Sequence, residues 1–508
     1  MTVLTRTDQV ERFRGLIARR LGLQFEDARL GWLGDVLQRQ LERAHQTDDN
    51  YLDWLELEAM GTELGTLAEE LTVPETYFFR NIDQFRALQE QVLPDRLRAR
   101  AGQRCLRILS AGCASGEEAY SIAMALHGRL PDPAWTLSIQ AVDVNPVVLD
   151  KARRARYTTW SLRETPAALQ DRWFRLEGRE LAVDEDIRNA VVFEQRNIHL
   201  HDAGFWRPGL FDVVFCRNVL MYFTPQNAQA AVARIAQSLA PGGVLFLGHA
   251  ETLRGLSQDF QLRHTHGTFY YQRKDTTEPT LPDHEPVAVR PIGAARAAAA
   301  VAAVDSGDSW VEAIAKAAER IRTLTAAPAA APAYAAAPPN PAWHLGQALE
   351  LFRQERFVDA LDLVQALPAE SANDPDALLL HAVLLVHSGQ LAQAEDACHR
   401  LLAVDGLNAG AHYVLALCRE GAGDRAGAVD RDQAAIYLDP AFAMPRLHLG
   451  LLARRAGDNN AMRRELTQAL ALLKQEDAPR LLLFGGGFDR QALVALCNAE
   501  IRAAAGEP

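Results

Sequence analysis

Two stretches of this 508-residue chain combine residue types that could hold a small polar ligand at the edge of a sheet. Ser110-Ala111-Gly112-Cys113-Ala114-Ser115-Gly116-Glu117-Glu118 follows an apolar run and precedes a helical pattern expected to begin near Ala119. Its glycines permit a tight turn and close approach of backbone to a ligand. It is neither a G-x-G-x-x-G fingerprint nor a P-loop, because no Lys-Ser/Thr follows the second glycine. Two carboxylates at a helix N-terminus repel phosphate, which leaves a nucleoside without phosphates as the ligand class. The second stretch runs from Phe211 to Phe223, and its apolar strand breaks into Arg217, Asn218 and Tyr222. In open α/β sheets ligands bind outside the carboxyl ends of the strands. Asp143 ends another apolar run, where an acidic residue commonly grips ribose hydroxyls. Taken alone, Asp143 is a helix N-cap before Asn145-Pro146; beside the glycine loop, the ribose role is the stronger reading. A phosphate-free nucleoside on such a sheet points to S-adenosylmethionine.

The elements that would position these residues follow from hydrophobic periodicity. Residues 1–90 carry helical stripes, Phe13, Leu16, Ile17, Leu21 and then Trp32, Leu33, Val36, Leu37, Leu41. A break at Val73-Pro74 precedes Thr76-Tyr77-Phe78-Phe79-Arg80. From about 104 on, strands are expected at Leu106–Ala111, Thr136–Val142, Val191–Phe193, Asp212–Cys216 and Val244–Gly248. Helices between most of them make a parallel, doubly wound sheet over residues 91–274. A hairpin at Phe260–Arg263 and Thr268–Gln272 would close it. Phe78 and Phe79 suit core packing.

After Lys274 the composition shifts to Ala and Pro, and residues 275–340 are expected to be a linker containing a short helix at Trp310–Leu324. Beyond it a period of 34 emerges. Ala348, Ala382, Ala416 and Gly450 keep that step, as do Gly389, Gly423, Gly457 and Ala360, Ala394, Ala428. With Trp343-x-Leu345-Gly346, this is the tetratricopeptide pattern, placed at 341–475, with a capping tail over 476–508 and a helix near Arg490–Ala505. Such repeats give a protein-binding surface.

The net charge of −12 argues against a nucleic-acid partner. Arg12, Arg14, Arg19 and Arg20 form either a docking face for an acidic partner or a solvated helix face. The six cysteines make no C-x-x-C, which suits reduced thiols rather than a disulfide framework or zinc site. His199/His201 and His264/His266 lack accompanying carboxylate or cysteine ligands, so no metal is expected. No signal peptide and no membrane-length apolar run are seen, which places the chain in the cytoplasm without membrane insertion.

Four motifs in order resemble the CheR-type chemoreceptor methyltransferases. They are Thr76–Asn81; Gly112–Glu118 with Ala119-Tyr120-Ser121; Cys216–Phe223; and Pro241-Gly242-Gly243 with Gly248-His249-Ala250-Glu251. The resemblance covers about residues 8–274, and the appended repeats resemble the branch that includes WspC-type enzymes of surface sensing. It implies a class I Rossmann-like methyltransferase sheet with an N-terminal helical domain, a small β-subdomain at about 157–192, and a C-terminal all-α tetratricopeptide solenoid. It implies transfer of the S-adenosylmethionine methyl group to glutamates on the cytoplasmic helices of a methyl-accepting receptor. An ionised glutamate needs no general base, so positioning and desolvation would carry the rate.

The family pattern places Thr76 and Arg80 against the methionyl part of the cofactor, with Arg80 binding its carboxylate or orienting the incoming glutamate. It places Glu118 and Asp143 on polar groups, Asn197 and Ile198 at the adenine, and Cys216, Arg217 and Asn218 along the cofactor. Tyr222 falls beside the reacting methyl. Pro74 stands where the family has Asn, and Ala250 where Ser is common. Other classes compatible with these residues are an inactive scaffold recruiting partners through its repeats, and a small-molecule or nucleic-acid methyltransferase. Between Trp173 and Ile187 the chain has only a short Glu177-Gly178-Arg179-Glu180 turn, where family members that bind a receptor-tail pentapeptide have a longer loop. An isolated receptor-tail peptide is therefore expected not to bind; micromolar binding by calorimetry would contradict this.

Overall fold

A computed structural model describes residues 7–57, 62–72, 74–249, 251–274, 345–354, 356–367, 371, 373–486 and 488–505. The expected linker 275–340 with its helix at Trp310–Leu324, and also Val73, Ala250 and Trp343, lie outside the described residues. The chain divides into two compact units, residues 1–278 and 279–508.

In the first unit a seven-stranded sheet has the order β6-β2-β1-β7-β8-β10-β9. Its strands are β1 Cys105–Ala111, β2 Thr136–Asp143, β6 Val191–Gln195, β7 Phe211–Cys216, β8 Leu239–Leu247, β9 Phe260–Thr265 and β10 Thr268–Arg273. β10 pairs antiparallel with β8 and β9, while β1, β2, β6, β7 and β8 run parallel. This is a mostly parallel, Rossmann-like sheet. The strands outrun their apolar cores by one to a few residues. The largest difference is at β8, which begins at Leu239 and carries Pro241-Gly242-Gly243 through a register shift against β7. Phe215 of β7 stacks between Phe85 and Phe246, with ring centroids 5.9 and 4.5 Å away.

The strand order reverses between the parallel neighbours β1 and β7, so the loops after them meet at the carboxyl edge. A Cβ on Gly112 would lie 2.4 Å from Val219 Cγ2, so only glycine allows this approach. β7 is anchored at its other end by buried Asp212, which accepts from Arg96 at 3.0 Å, Arg100 at 2.6 Å and the Arg107 N–H at 3.1 Å. A second sheet, β3-β5-β4, is built from β3 Arg156–Tyr157, β4 Phe174–Glu177 and β5 Glu180–Val183. Its hairpin turns through Gly178-Arg179 alone, as short as the sequence indicates.

The N-terminal helices Thr7–Arg20 and Leu30–Ala44 bury the expected stripes, except that Trp32 is half-exposed against Phe25. The basic cluster is neutralised within the chain. Arg12 bonds to Asp53, Arg14 to Asp27 at 2.6 Å and Arg19 to Glu56 at 3.2 Å, while Arg20 reaches the Glu56 carbonyl at 3.5 Å. The helix Asp48–Leu57 supplies most of these acids, so Arg12, Arg14 and Arg19 carry ion-paired charge. Spacing along one helix could not show it.

Among the described residues the second unit holds four helix pairs: Leu345–Arg353 with Phe357–Gln365, Pro375–His387 with Leu391–Val404, Ala409–Gly421 with Arg425–Leu438, and Ala443–Arg455 with Asn459–Leu473. The small residues of the 34-residue period are buried where the helices cross. Gly389, Gly423 and Gly457 have φ of 71°, 80° and 76° at the turns, a conformation that favours glycine. Ala478–Phe484 and Arg490–Ala505 follow; the first of these was not apparent in the sequence.

His387 lies buried against the Phe357 ring, 4.8 Å between centroids, and burial lowers its pKa to about 4. The folded repeats hold it neutral, whereas the unfolded chain protonates it near pH 6.5. Its contribution is complete above pH 6.5 and is lost as pH falls toward 4, on the order of 3 kcal/mol. His387→Phe is therefore expected to flatten the acid limb of the repeats' stability curve, measured by urea unfolding between pH 4 and 7. An unchanged slope would show that His387 is already protonated in the fold.

Candidate active site

The cleft lies at the carboxyl edge of β1, β2, β6 and β7 and has two lobes. An apolar lobe of about 110 Å³ is lined by Leu21, Leu23, Leu71, Pro74, Val144, Val148, Ile198 and Phe223, with Asp143 and Asn197 among its polar groups. A polar lobe of about 280 Å³ is lined by Glu75, Thr76, Tyr77, Arg80, Glu118, Arg217 and Met221. Gly112, Ala114, Asn218 and Tyr222 line both. The N-terminal segment closes the apolar side: Leu23 bridges to Phe223, and the Gln24 N–H donates to the Tyr222 carbonyl at 2.7 Å.

The helix after the glycine loop starts at Glu117, two residues earlier than expected, with Gly116 at φ 93° before it. Its two acids then diverge. Glu117 is buried and accepts from Ser115 Oγ at 2.7 Å and Ser161 Oγ at 3.2 Å, tying the loop to the 159–162 turn. Glu118 faces the polar lobe, accepting from Ser110 Oγ at 2.7 Å and from Arg217 Nη1 at 3.3 Å. Burial pushes its carboxyl above the ordinary value, against the opposing pull of Arg217, Ser110 and Arg80.

Asp143 is not the helix cap. Asn145 caps Pro146–Arg154, accepting from the Val147 and Val148 N–H groups. Asp143 accepts from the Ala114 N–H and the Asn145 N–H, each at 2.9 Å, and so aims at the glycine loop from the next strand. Burial raises its pKa, opposed by these backbone donors. Each carboxylate oxygen keeps capacity for a further hydroxyl donor.

Arg80 sits in a turn rather than at a strand edge, between Phe79 and Asn81, whose φ values are 56° and 57°. The turn is pinned from three sides. Phe79 N–H donates to Ser121 Oγ at 2.9 Å, Phe78 N–H to the Ser161 carbonyl at 2.9 Å, and Arg217 Nη2 to the Arg80 carbonyl at 2.6 Å. Phe78 and Phe79 are core residues, as their types suggest. The Arg80 guanidinium lies over Tyr77, 5.7 Å from the ring centroid, and reaches the Glu75 carbonyl at 3.4 Å.

Cys216 and Asn197 are held differently from the other expected cofactor residues. Cys216 is fully buried within β7, a strand buried along its whole length, and lines neither lobe. The Asn197 side chain lines the apolar lobe but is committed to structure, donating to the Arg20 carbonyl at 2.8 Å and accepting from His199 N–H at 2.9 Å. Thr76, Ile198, Arg217, Asn218 and Tyr222 line the cleft, Tyr222 with 38% exposure. His199 Nε2 lies 3.0 Å from the Arg19 carbonyl and His266 Nε2 lies 3.0 Å from Glu90, both structural partners.

Glu251 ends the Gly248-His249-Ala250-Glu251 motif. It is 5% exposed, and its carboxylate accepts from four backbone N–H groups: Asn218 at 2.6 Å, Gly248 at 2.8 Å, Val219 at 2.9 Å and Met221 at 3.2 Å. It fixes the loop on which Arg217, Asn218 and Tyr222 stand. An acid just past the end of a buried strand was the only signal in the sequence.

The donor set suits a ligand with an apolar ring at one end and a zwitterion at the other, joined past a hydroxyl-binding carboxylate. A family model described as the CheR methyltransferase, SAM binding domain matches residues 74–269. Chemotaxis protein methyltransferase 2 of Vibrio cholerae is 37% identical over 275 residues, 53% of this chain and 94% of that protein. The chain belongs to the CheR methyltransferase family. The "Probable biofilm formation methyltransferase WspC" of Pseudomonas putida is 30% identical over 455 residues, 89% of this chain and 96% of that protein. Its namesake in Pseudomonas aeruginosa is 30% identical over 459 residues with the same coverage. CheR-family membership makes the chain an S-adenosylmethionine-dependent methyltransferase, and the two lobes fit that cofactor.

Glu251→Ala would leave its backbone donors without their acceptor, at about 1–3 kcal/mol for each one that water cannot reach. A loss of about 3 kcal/mol or more in the stability of the first unit is expected by urea unfolding, with weakened cofactor binding by calorimetry. Unchanged stability would show that the loop is held by other contacts.

Proposed function

We propose that the enzyme methylates glutamate side chains on the cytoplasmic helical region of a methyl-accepting chemoreceptor, forming γ-methyl esters in chemotactic or surface-sensing adaptation. Residues 1–90 and 91–274 would act as the catalytic unit, with a small β-subdomain at about 157–192, and the repeats at 341–475 would engage a protein partner. The observation that carries this reading is the polar lobe, where Arg80, Arg217 and Glu118 converge beside Tyr222. The chain would work in the cytoplasm; among the described residues no helix is long and apolar enough to cross a membrane.

When bound, S-adenosylmethionine supplies an electrophilic methyl group on a cationic sulfur. Asp143 would hold the ribose hydroxyls and Ile198 the adenine, with Asn197 shaping that wall. Glu118, held by Ser110 and Arg217, would take the ammonium group; Arg80 and Thr76 would take the carboxylate end. Arg217 also holds the Arg80 carbonyl, so the two lips of the lobe keep one spacing. The acceptor carboxylate is ionised at neutral pH, so the site needs no proton acceptor. Tyr222 and Asn218 would orient that carboxylate and exclude water from it, which favours in-line attack.

Incubation of receptor-containing membranes with methyl-labelled cofactor is expected to label the receptor band. Arg80→Ala is expected to lower kcat/KM roughly 10- to 100-fold, the value of one charge-assisted hydrogen bond. Full activity of that variant would remove Arg80 from the site.

A further inference from the structure

The repeats have an occupied groove. First helices of successive repeats lie side by side in a tetratricopeptide solenoid and line its binding surface. The helix Ala478–Phe484 returns onto that surface. Phe484 packs against Tyr413 and Phe442, with ring centroids 5.8 and 5.0 Å away, and is itself 8% exposed. It enters a slot opened by Gly410, where an added Cβ would lie 2.7 Å from the Phe484 ring. One period before and after Gly410 stand Asp376 and Met444, so only the Ala409–Gly421 repeat has this gap among the three.

One helical turn earlier, on the same face, Arg480 bridges two buried carboxylates. It reaches Asp439 at 2.5 Å and Glu476 at 3.1 Å, and lies over the Phe442 ring at 5.0 Å. Glu476 also accepts the Ala443 N–H at 2.8 Å, serving a helix whose own N-cap residue Phe442 has no capping side chain. Residues i and i+4 share a helix face, so the groove reads an Arg and a Phe at that spacing.

A seven-residue helix is marginal on its own, and Gly485-Gly486-Gly487 follows it in sequence. Arg490 ties the chain on either side of it by donating to the Lys474 and Glu476 carbonyls, while the docked Arg480 and Phe484 side chains hold the helix itself in the groove. We infer that this groove is a recognition site for a protein helix presenting Arg and Phe four residues apart, and that Ala478–Phe484 is its resident occupant, displaced when such a partner binds. Helix-in-groove recognition uses anchors of this kind. A tethered occupant weakens the apparent affinity of any competitor presented from solution. The inference is independent of methyl transfer.

The test uses the full-length chain and a fluorescent synthetic peptide of residues 477–486, titrated by anisotropy. The double variant Arg480→Ala/Phe484→Ala is expected to bind the peptide at least tenfold more tightly than the unsubstituted chain. Adding Gly410→Leu, which fills the slot, is expected to abolish that gain. Equal affinity with and without the double substitution, no binding to a folded double variant, or indifference to Gly410→Leu would overturn the inference. If the double variant fails to fold, hydrogen exchange of the unsubstituted chain decides. Amides of 480–484 opening well before those of Ala409–Gly421 support displacement, and joint exchange only on global unfolding refutes it.

Discussion

The Glu251 carboxylate, surrounded by the backbone N–H groups of Asn218, Val219, Met221 and Gly248, is the contact on which the rest of the cleft depends. A buried carboxylate is costly unless charge-assisted hydrogen bonds satisfy it; here the loop after β7 supplies them. That loop holds Asn218 at a φ of 58°, strained for a residue with a side chain, and the carboxylate compensates. Arg217, on the same loop, then reaches both Glu118 and the Arg80 carbonyl. One acid at the end of β8 thus sets the spacing between the two lips of the polar lobe.

The acids of the glycine loop divide their work in a way that their adjacency conceals. Glu117 is spent on Ser115 and Ser161, which fastens the loop to the turn beside the small sheet. Of the two, Glu118 alone faces the polar lobe. The cleft therefore holds Asp143 near its apolar lobe and an Arg/Glu set in its polar lobe, an arrangement for a nucleoside joined to an amino acid. Arg12, Arg14 and Arg19 pair with acids within the N-terminal region, whereas Arg80 and Tyr222 line the cleft.

Much of this was legible in the sequence. Apolar runs located the strands of the main sheet, because buried parallel strands are apolar throughout. The period of 34 located the repeats, since every helix crossing needs a small residue at the same place. Gly112 and Gly116 marked the loop that must approach Val219 and turn with positive φ. What escaped depends on contacts distant in sequence. Glu251 acts on residues about thirty positions earlier, Asp53 and Glu56 on arginines about forty away, and Phe484 on Gly410 in another repeat. Cys216 ends β7, every residue of which is buried, so its absence from both lobes follows from packing that a motif read along the chain does not reveal.

The group receiving the methyl is a carboxylate, already ionised at neutral pH, which needs orientation rather than a proton acceptor. The most direct measurement is the alkali lability of the transferred label. After reaction with methyl-labelled S-adenosylmethionine, the receptor is isolated and treated with mild base. The label is expected to leave as volatile methanol, as a carboxyl methyl ester requires. Label that stays with the protein through that treatment would place the methyl on nitrogen, sulfur or an ether oxygen, and would contradict it.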